Sequence, residues 1–313
     1  MVILSILTLT AAVVLALSWN CYRICFFSPR KGRRSPYDPI PDPQFQAVEQ
    51  TLFQVISIME RYPFEDVAIR ASDGTRLRGR YYHFNEGAPL LILCHGYRSA
   101  ALRDCCGAHA LAKKLGFNAL VIHQRAHGES GGHTITFGIR EGNDVARWAR
   151  YARDRFGPEI PVILFGLSMG AATVLMGCAE AYPENVKGII ADSPYSSPAD
   201  IIKKVCRDEG YPEALFPFVT LGAWIFGGFW LESRTALEAV RHTKLPILLI
   251  HGEDDRLVPC DMSRKIAEGC PGRCSILTVP GAGHGLGYMV DPTAYEQAVL
   301  RFLSGVSDIA KNK

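Results

Sequence analysis

The spacing of apolar and polar positions divides the chain into segments of different kinds. From Val2 to Phe27 the residues are almost continuously apolar, and the first charged side chain is Arg23. This predicts one helix long enough to cross a bilayer, with Trp19 and Tyr22 placed as interfacial anchors. Residues 28–43 are basic and then proline-rich, the pattern of a stiff spacer. Over residues 44–61, Phe45, Val48, Leu52, Val55, Ile56 and Met59 recur at helical spacing, an amphipathic helix expected to cover the body of the domain. Glu65–Arg70 and Arg76–Tyr82 flank the turn Ser72-Asp-Gly74 and read as an antiparallel hairpin.

Beyond the hairpin, short apolar runs alternate with helical patterns. Strands are predicted at 89–94, 118–123, 186–191, 246–250 and 275–279, with one more in the apolar run from Pro161 that ends at Gly166. Helices are predicted near 104–115, 140–156, 262–268 and 294–303, with another directly after residue 168. Runs as apolar as Pro89-Leu-Leu-Ile-Leu-Cys94 suit strands buried on both faces. The alternation predicts an α/β fold with a mostly parallel central sheet and helices on both sides. One interruption, about 195–244, is dense in aromatics and reads as a helical cap inserted between two sheet strands. Most of its side chains are expected to pack the cap onto the body, with a few lining an apolar substrate pocket. Pro217 and Gly227-Gly228 interrupt it too often for a second membrane span. The expected organisation is a membrane anchor (1–27), a linker (28–43) and one α/β domain with its cap (44–313).

Composition adds limits. The chain has 313 residues, 48% hydrophobic and 21% charged, with a net charge of +3. That is a globular balance, and the charge is too small to suggest a nucleic-acid partner. Arg23, Arg30, Lys31, Arg33 and Arg34 follow the apolar stretch, which by the positive-inside rule puts the body on the cytoplasmic side and suits contact with anionic headgroups. The competing reading is a cleaved signal peptide and a secreted product. It lacks support from a basic n-region or a small-residue cleavage site. The ten cysteines form no framework. Cys270-Pro-Gly-Arg-Cys274 fits a zinc half-site or a local disulfide, but no second pair completes a tetrad, so free thiols in a reducing compartment are expected.

The stretch that carries chemistry is Gly166-Leu-Ser168-Met-Gly170, set between an apolar strand and a small-residue helix. This is the pattern of a nucleophile elbow, a tight strained turn whose flanking positions must lack bulk. A serine hydroxyl needs a base to take its proton, and the base needs an orienting carboxylate. Two strand-end loops offer them: His251-Gly-Glu-Asp-Asp-Arg-Leu-Val-Pro259 and Pro280-Gly-Ala-Gly-His-Gly285. Asp192, at the end of the strand after the elbow, is a further candidate acid. The oxyanion generated by attack needs preorganised donors, and the Met169 amide, next after the nucleophile, is one.

Together with Arg125-Ala-His-Gly-Glu-Ser130, these segments resemble the α/β-hydrolase superfamily, from about Glu65 to the last helix. Within it they are similar to bacterial serine hydrolases of the aminopeptidase-like and monoacylglycerol-lipase-like group. The resemblance implies Ser168 as nucleophile, Asp255 as acid and His284 as base. It selects Asp255 over Glu253 and Asp254 because the family places the acid just before Arg-Leu-Val-Pro. It also implies the Tyr97 amide as the second oxyanion donor, since Tyr97 follows His95-Gly96. His95, His127 and His251 are expected to hold loops; His123, His133 and His242 are expected to be structural or exposed. The implied reaction is cleavage of an acyl ester or thioester through an acyl-enzyme, with no metal or organic cofactor. The same residues would serve an aminopeptidase or amidase on short peptides, with Glu213, Glu232 or Glu238 receiving the substrate amine, or an acyltransferase. A non-catalytic binding protein on the same fold is the alternative of a different class.

Overall fold

Eight strands form a single sheet in the order β1-β2-β4-β3-β5-β6-β7-β8. They are β1 (Glu65–Arg70), β2 (Arg76–Tyr82), β3 (Leu90–Cys94), β4 (Asn118–His123), β5 (Val162–Leu167), β6 (Val186–Asp192), β7 (Ile247–Gly252) and β8 (Cys274–Val279). β1 pairs with β2 and β2 with β4 antiparallel, and the remaining pairs are parallel. The computed structural model describes residues 1–270 and 273–306; residues 307–313 of the expected α/β domain lie outside the described residues.

The helices are α1 (Val2–Cys25), α2 (Pro43–Glu60), α3 (Ala101–Leu115), α4 (Ile139–Phe156), α5 (Met169–Met176), α6 (Pro198–Asp208), α7 (Phe216–Ile225), α8 (Ala236–His242), α9 (Asp261–Gly269), α10 (Gly287–Val290) and α11 (Pro292–Ser304). Their ends follow local chemistry. Asp42 caps α2 through the Gln44 amide at 2.8 Å, with Pro43 at the first position. Asp291 does the same for α11 through Ala294, again before a proline. Gly116 closes α3 in the left-handed region at φ 78°.

The apolar strands divide their side chains between two layers. Leu90, Ile92, Val162 and Leu164 point to the layer containing α4 and α5. Leu91, Leu93, Ile163 and Phe165 point to the layer containing α2, α3 and α11. Period-two alternation of wholly apolar residues fills both layers, which is why these strands lack a polar face.

The cap region holds α6, α7 and α8 between β6 and β7. The end of the apolar helix α1 joins it. A Cβ on Gly222 of α7 would lie 2.3 Å from the Ser18 carbonyl oxygen, so the two backbones touch. Ser18 and Tyr22 are buried, and Phe26 is fully buried, edge-on to Phe137 and Phe229 at centroid distances of 5.8 and 5.3 Å. The segment that reads as a spacer is laid along the body. Ser28 is hydrogen-bonded to His133 and Ala126, Arg33 reaches the carbonyls of Gly128, Ser130 and Gly132, and Arg103 from α3 holds the carbonyls of Ser35, Pro36 and Asp38. One expectation is corrected: Cys270 and Cys274 are joined by a disulfide, with Cα atoms 5.8 Å apart, rather than being free thiols. A turn bringing the amide of Cys274 onto the carbonyl of Cys270, at 3.2 Å, sets the two side chains together. Pro271 and Gly272, between them, lie outside the described residues.

Candidate active site

The C-terminal ends of β3, β5, β7 and β8 present the loops that carry the candidate residues, the edge where ligands of open α/β sheets collect. At the turn from β5 into α5, Ser168 has φ 57° and ψ −119°, a region that costs a non-glycine residue of order 1–3 kcal/mol. Its amide donates to the Asp192 carbonyl at 2.8 Å. The Gly-x-Ser-x-Gly spacing has a direct steric cause. A Cβ on Gly166 would sit 2.2 Å from the Gly170 oxygen, and one on Gly170 would sit 2.1 Å from the Cys94 oxygen.

The loop after β3 crosses this turn. A Cβ on Gly96 would lie 3.3 Å from the Ser168 Cβ. The loop is pinned on both sides of Tyr97: the Gly96 amide donates to Asp104 Oδ2 at 2.7 Å, and the Arg98 amide to His127 Nε2 at 2.9 Å. Between them, the Tyr97 amide has no protein acceptor among the described residues. Met169 is the first residue of α5, where a helix amide has no partner in its own ladder. The structure therefore brings both expected oxyanion donors to the turn that holds Ser168. The Tyr97 ring packs on Phe137, and its hydroxyl donates to the Cys25 carbonyl at the end of α1 at 2.7 Å.

Asp255 and His284 meet. His284 Nδ1 donates to Asp255 Oδ2 at 2.7 Å, while Oδ1 of the same carboxylate accepts the amides of Leu257 and Val258 at 2.9 and 2.8 Å. Asp255 is buried, which opposes its ionisation, but His284 and these hydrogen bonds outweigh burial and hold the carboxyl well below the usual range. For His284, burial disfavours the imidazolium, yet the adjacent carboxylate prevails and the pKa is raised. With Nδ1–H committed to Asp255, Nε2 is the basic nitrogen. The two loops are bound to each other, Glu253 to the Val279 carbonyl and Asp254 to the Ala282 carbonyl, each at 3.0 Å. The base loop rests on the elbow: a Cβ on Gly285 would lie 3.0 Å from Leu167 Cδ1.

The other acids are engaged elsewhere. Asp192 is buried with Oδ1 on Ser193 Oγ and Oδ2 on Tyr295 OH, both at 3.0 Å. Glu253 and Asp254 are exposed. His95 and His127 are buried, and burial lowers both pKa values, leaving neutral rings that hold the 96–98 and 124–125 backbone. His133 and His242 are exposed. His123 is pushed down to about 3 by burial.

Three supporting residues carry no clear signal in the sequence. Asp104 holds the Tyr97 loop, accepting Ser99 Oγ at 2.6 Å as well as Gly96, yet in sequence it is one more charge on a helix. His251 does more than brace a loop: its Nε2 lies 2.8 Å from the Val258 carbonyl and 3.2 Å from Asp255 Oδ2, so the N–H faces the acid and Nδ1 accepts from Ser263 Oγ at 2.7 Å. Ser193, at φ 55°, links Asp192 to the Gly285 amide. The upper half of α2 also has a place near the site. Phe45, Val48, Leu52 and Val55 line an apolar cavity of about 150 Å³ together with Leu167, Gly285 and Leu286, while Ile56 and Met59 cover the body as the stripe predicts.

The strand order, the strained serine after β5 and the loops at the same sheet edge define an α/β-hydrolase fold. The family described as alpha/beta hydrolase fold matches residues 89–205. The esterase PF2001 of Pyrococcus furiosus superposes with a TM-score of 0.63 at 24% identity, covering 81% of this chain and 93% of the esterase. In sequence, the uncharacterized protein YqkD of Bacillus subtilis is 24% identical over 82% of this chain and 84% of its own length. The uncharacterized protein Rv2307c of Mycobacterium tuberculosis is 24% identical over 96% of this chain and 94% of its own.

Proposed function

We propose that the protein is a serine hydrolase that cleaves a carboxylic ester or thioester through an acyl-enzyme. The observation that carries this reading is the 2.7 Å Asp255–His284 hydrogen bond, held by loops on the same sheet edge as the strained Ser168 at φ 57°; no hydrogen bond joins Ser168 Oγ to His284 among the described residues. His284 takes the Ser168 proton, the hydroxyl oxygen attacks the carbonyl, and the oxyanion is received by the Tyr97 and Met169 amides. His284 then protonates the leaving alcohol or thiol and activates the water that releases the acid. The first structural neighbours being an esterase supports the ester over other bonds. The cavity under α2 supports a short acyl arm, since 150 Å³ falls below the 300–1,000 Å³ usual for ligand pockets. The carboxylates that an aminopeptidase would use are placed for other tasks: Glu213 is exposed and paired with Arg207, Glu232 is exposed, and Glu238 bonds the Thr235 cap of its own helix.

The reading includes a membrane. α1 is one helix long and apolar enough to cross it by length and composition. Its packed last turns argue against removal as a signal peptide, and the arginines that follow support a cytoplasmic hydrolase body by the positive-inside rule.

Labelling with a fluorophosphonate tests the chemistry. Wild type should label and Ser168→Ala should not; equal labelling, or none in either, overturns the reading. A panel of p-nitrophenyl esters and aminoacyl anilides then separates esterase from peptidase. Turnover of the anilides in preference to the esters would make it an amidase.

A further inference from the structure

The basic segment after α1 has a place in the structure that hydrolysis leaves unused. A cavity of about 530 Å³ opens between the last turns of α1, residues 27–34 and the loops at 98–99 and 127–128. Arg23, Arg33, Arg34 and Arg98 line it, and no carboxylate is among its lining residues. His127, also in its wall, adds no charge, because burial and the neighbouring His95 keep that ring neutral.

The arginines differ in how they are held. Arg33 Nη1 donates to the carbonyls of Gly128 and Ser130, and Nη2 to that of Gly132, at 2.6–2.9 Å. Arg98 Nη2 donates to the carbonyls of Ile24 and Phe27 at 2.8 and 2.9 Å. Neutral acceptors fix these two guanidiniums without cancelling their charge. Each also keeps a buried Nε–H with no acceptor among the described residues. Pinning the segment and capping α1 accounts for Arg33 and Arg98. It does not account for Arg23 and Arg34, which are exposed and have no hydrogen-bond or ion-pair partner among the described residues.

We infer that this cavity binds a phosphate-bearing anion, presented as the headgroup of an anionic phospholipid. Fixed guanidiniums suit phosphate because their planar fork delivers two parallel hydrogen bonds to its oxygens. The position gives the source. The cavity lies at the C-terminal end of the apolar helix, the level of the headgroups when α1 spans a bilayer, where an anionic leaflet concentrates such groups. The site depends on α1 lying in a membrane and not on the chemistry at Ser168.

Isothermal titration of the detergent-solubilised full chain tests it, with dihexanoyl phosphatidylglycerol, dihexanoyl phosphatidylcholine, glycerol 3-phosphate and inorganic phosphate as probes. The variant Arg23→Gln/Arg34→Gln removes the two exposed arms. An unchanged unfolding temperature without ligand establishes that the variant is folded. Phosphatidylglycerol should bind wild type more tightly than phosphatidylcholine, and the double variant should lose about tenfold or more in affinity, the worth of one charge-assisted hydrogen bond. Glycerol 3-phosphate or inorganic phosphate binding as tightly as the lipid, with the same arginine dependence, keeps the site and makes its ligand a free phosphate. Equal affinity of wild type and double variant for every probe overturns it, as does phosphatidylcholine binding as well as phosphatidylglycerol.

Discussion

Phe26→Ala asks whether the end of α1 belongs to the lipid or to the folded body. The ring is fully buried, edge-on to Phe137 and Phe229, and its carbonyl accepts the Ile135 amide at 2.8 Å. Truncating a buried phenylalanine costs about 3–5 kcal/mol, the edge-to-face contacts included. A domain of this size shifts by roughly 2 °C per kcal/mol, so the unfolding temperature should fall by about 6–10 °C. Leu9→Ala is the control, since Leu9 lies on the same helix but is 68% exposed and would face only lipid or detergent. The assay is thermal unfolding of the full-length chain in one detergent at one scan rate, because irreversible unfolding makes the midpoint depend on that rate. A shift for Phe26→Ala no larger than that for Leu9→Ala would refute the packing of α1 into the body.

Other outcomes follow from the site. Asp255→Asn should lower kcat by about three to four orders of magnitude, measured on a p-nitrophenyl ester, because the amide cannot hold His284 with the same charge and tautomer. In wild type His284 must be neutral to take a proton, so kcat/KM should rise with pH through its raised pKa, half-maximal above about 6.5. The same midpoint should move down in Asp255→Asn. Leu52→Trp should fill the cavity under α2 and lower kcat/KM for longer acyl chains while sparing acetyl esters; an unchanged chain-length profile would place the acyl arm elsewhere.

The sequence made the sheet legible because its strands are apolar on both faces and separated by helical periods. β1, β2 and β4 fall where the alternation puts them, and the other boundaries differ by one or two residues. The elbow was legible for a steric reason: only glycine tolerates the 2.2 and 2.1 Å approaches at Gly166 and Gly170. The second layer of the site was not. Asp104 and His251 act through neighbours brought close only by folding, 8 and 4 residues from the groups they hold. Tyr22 and Phe26 were hidden differently, because an apolar residue facing a core and one facing lipid are written with the same letters.

That ambiguity bears on how α1 is held. The last carbonyls of a helix have no partner in its own ladder, and those of α1 are met by the loop over Ser168. Tyr97 OH donates to the Cys25 carbonyl and Arg98 to those of Ile24 and Phe27. Arg98 also brings positive charge to the negative end of the helix dipole. The two side chains that meet these carbonyls thus belong to the loop that presents the candidate oxyanion amide of Tyr97. A flexible tether would leave that loop indifferent to the membrane. Here the end of α1 is part of the scaffold that fixes the Tyr97 backbone, so the position of α1 on the body and the geometry of that loop are set by the same contacts.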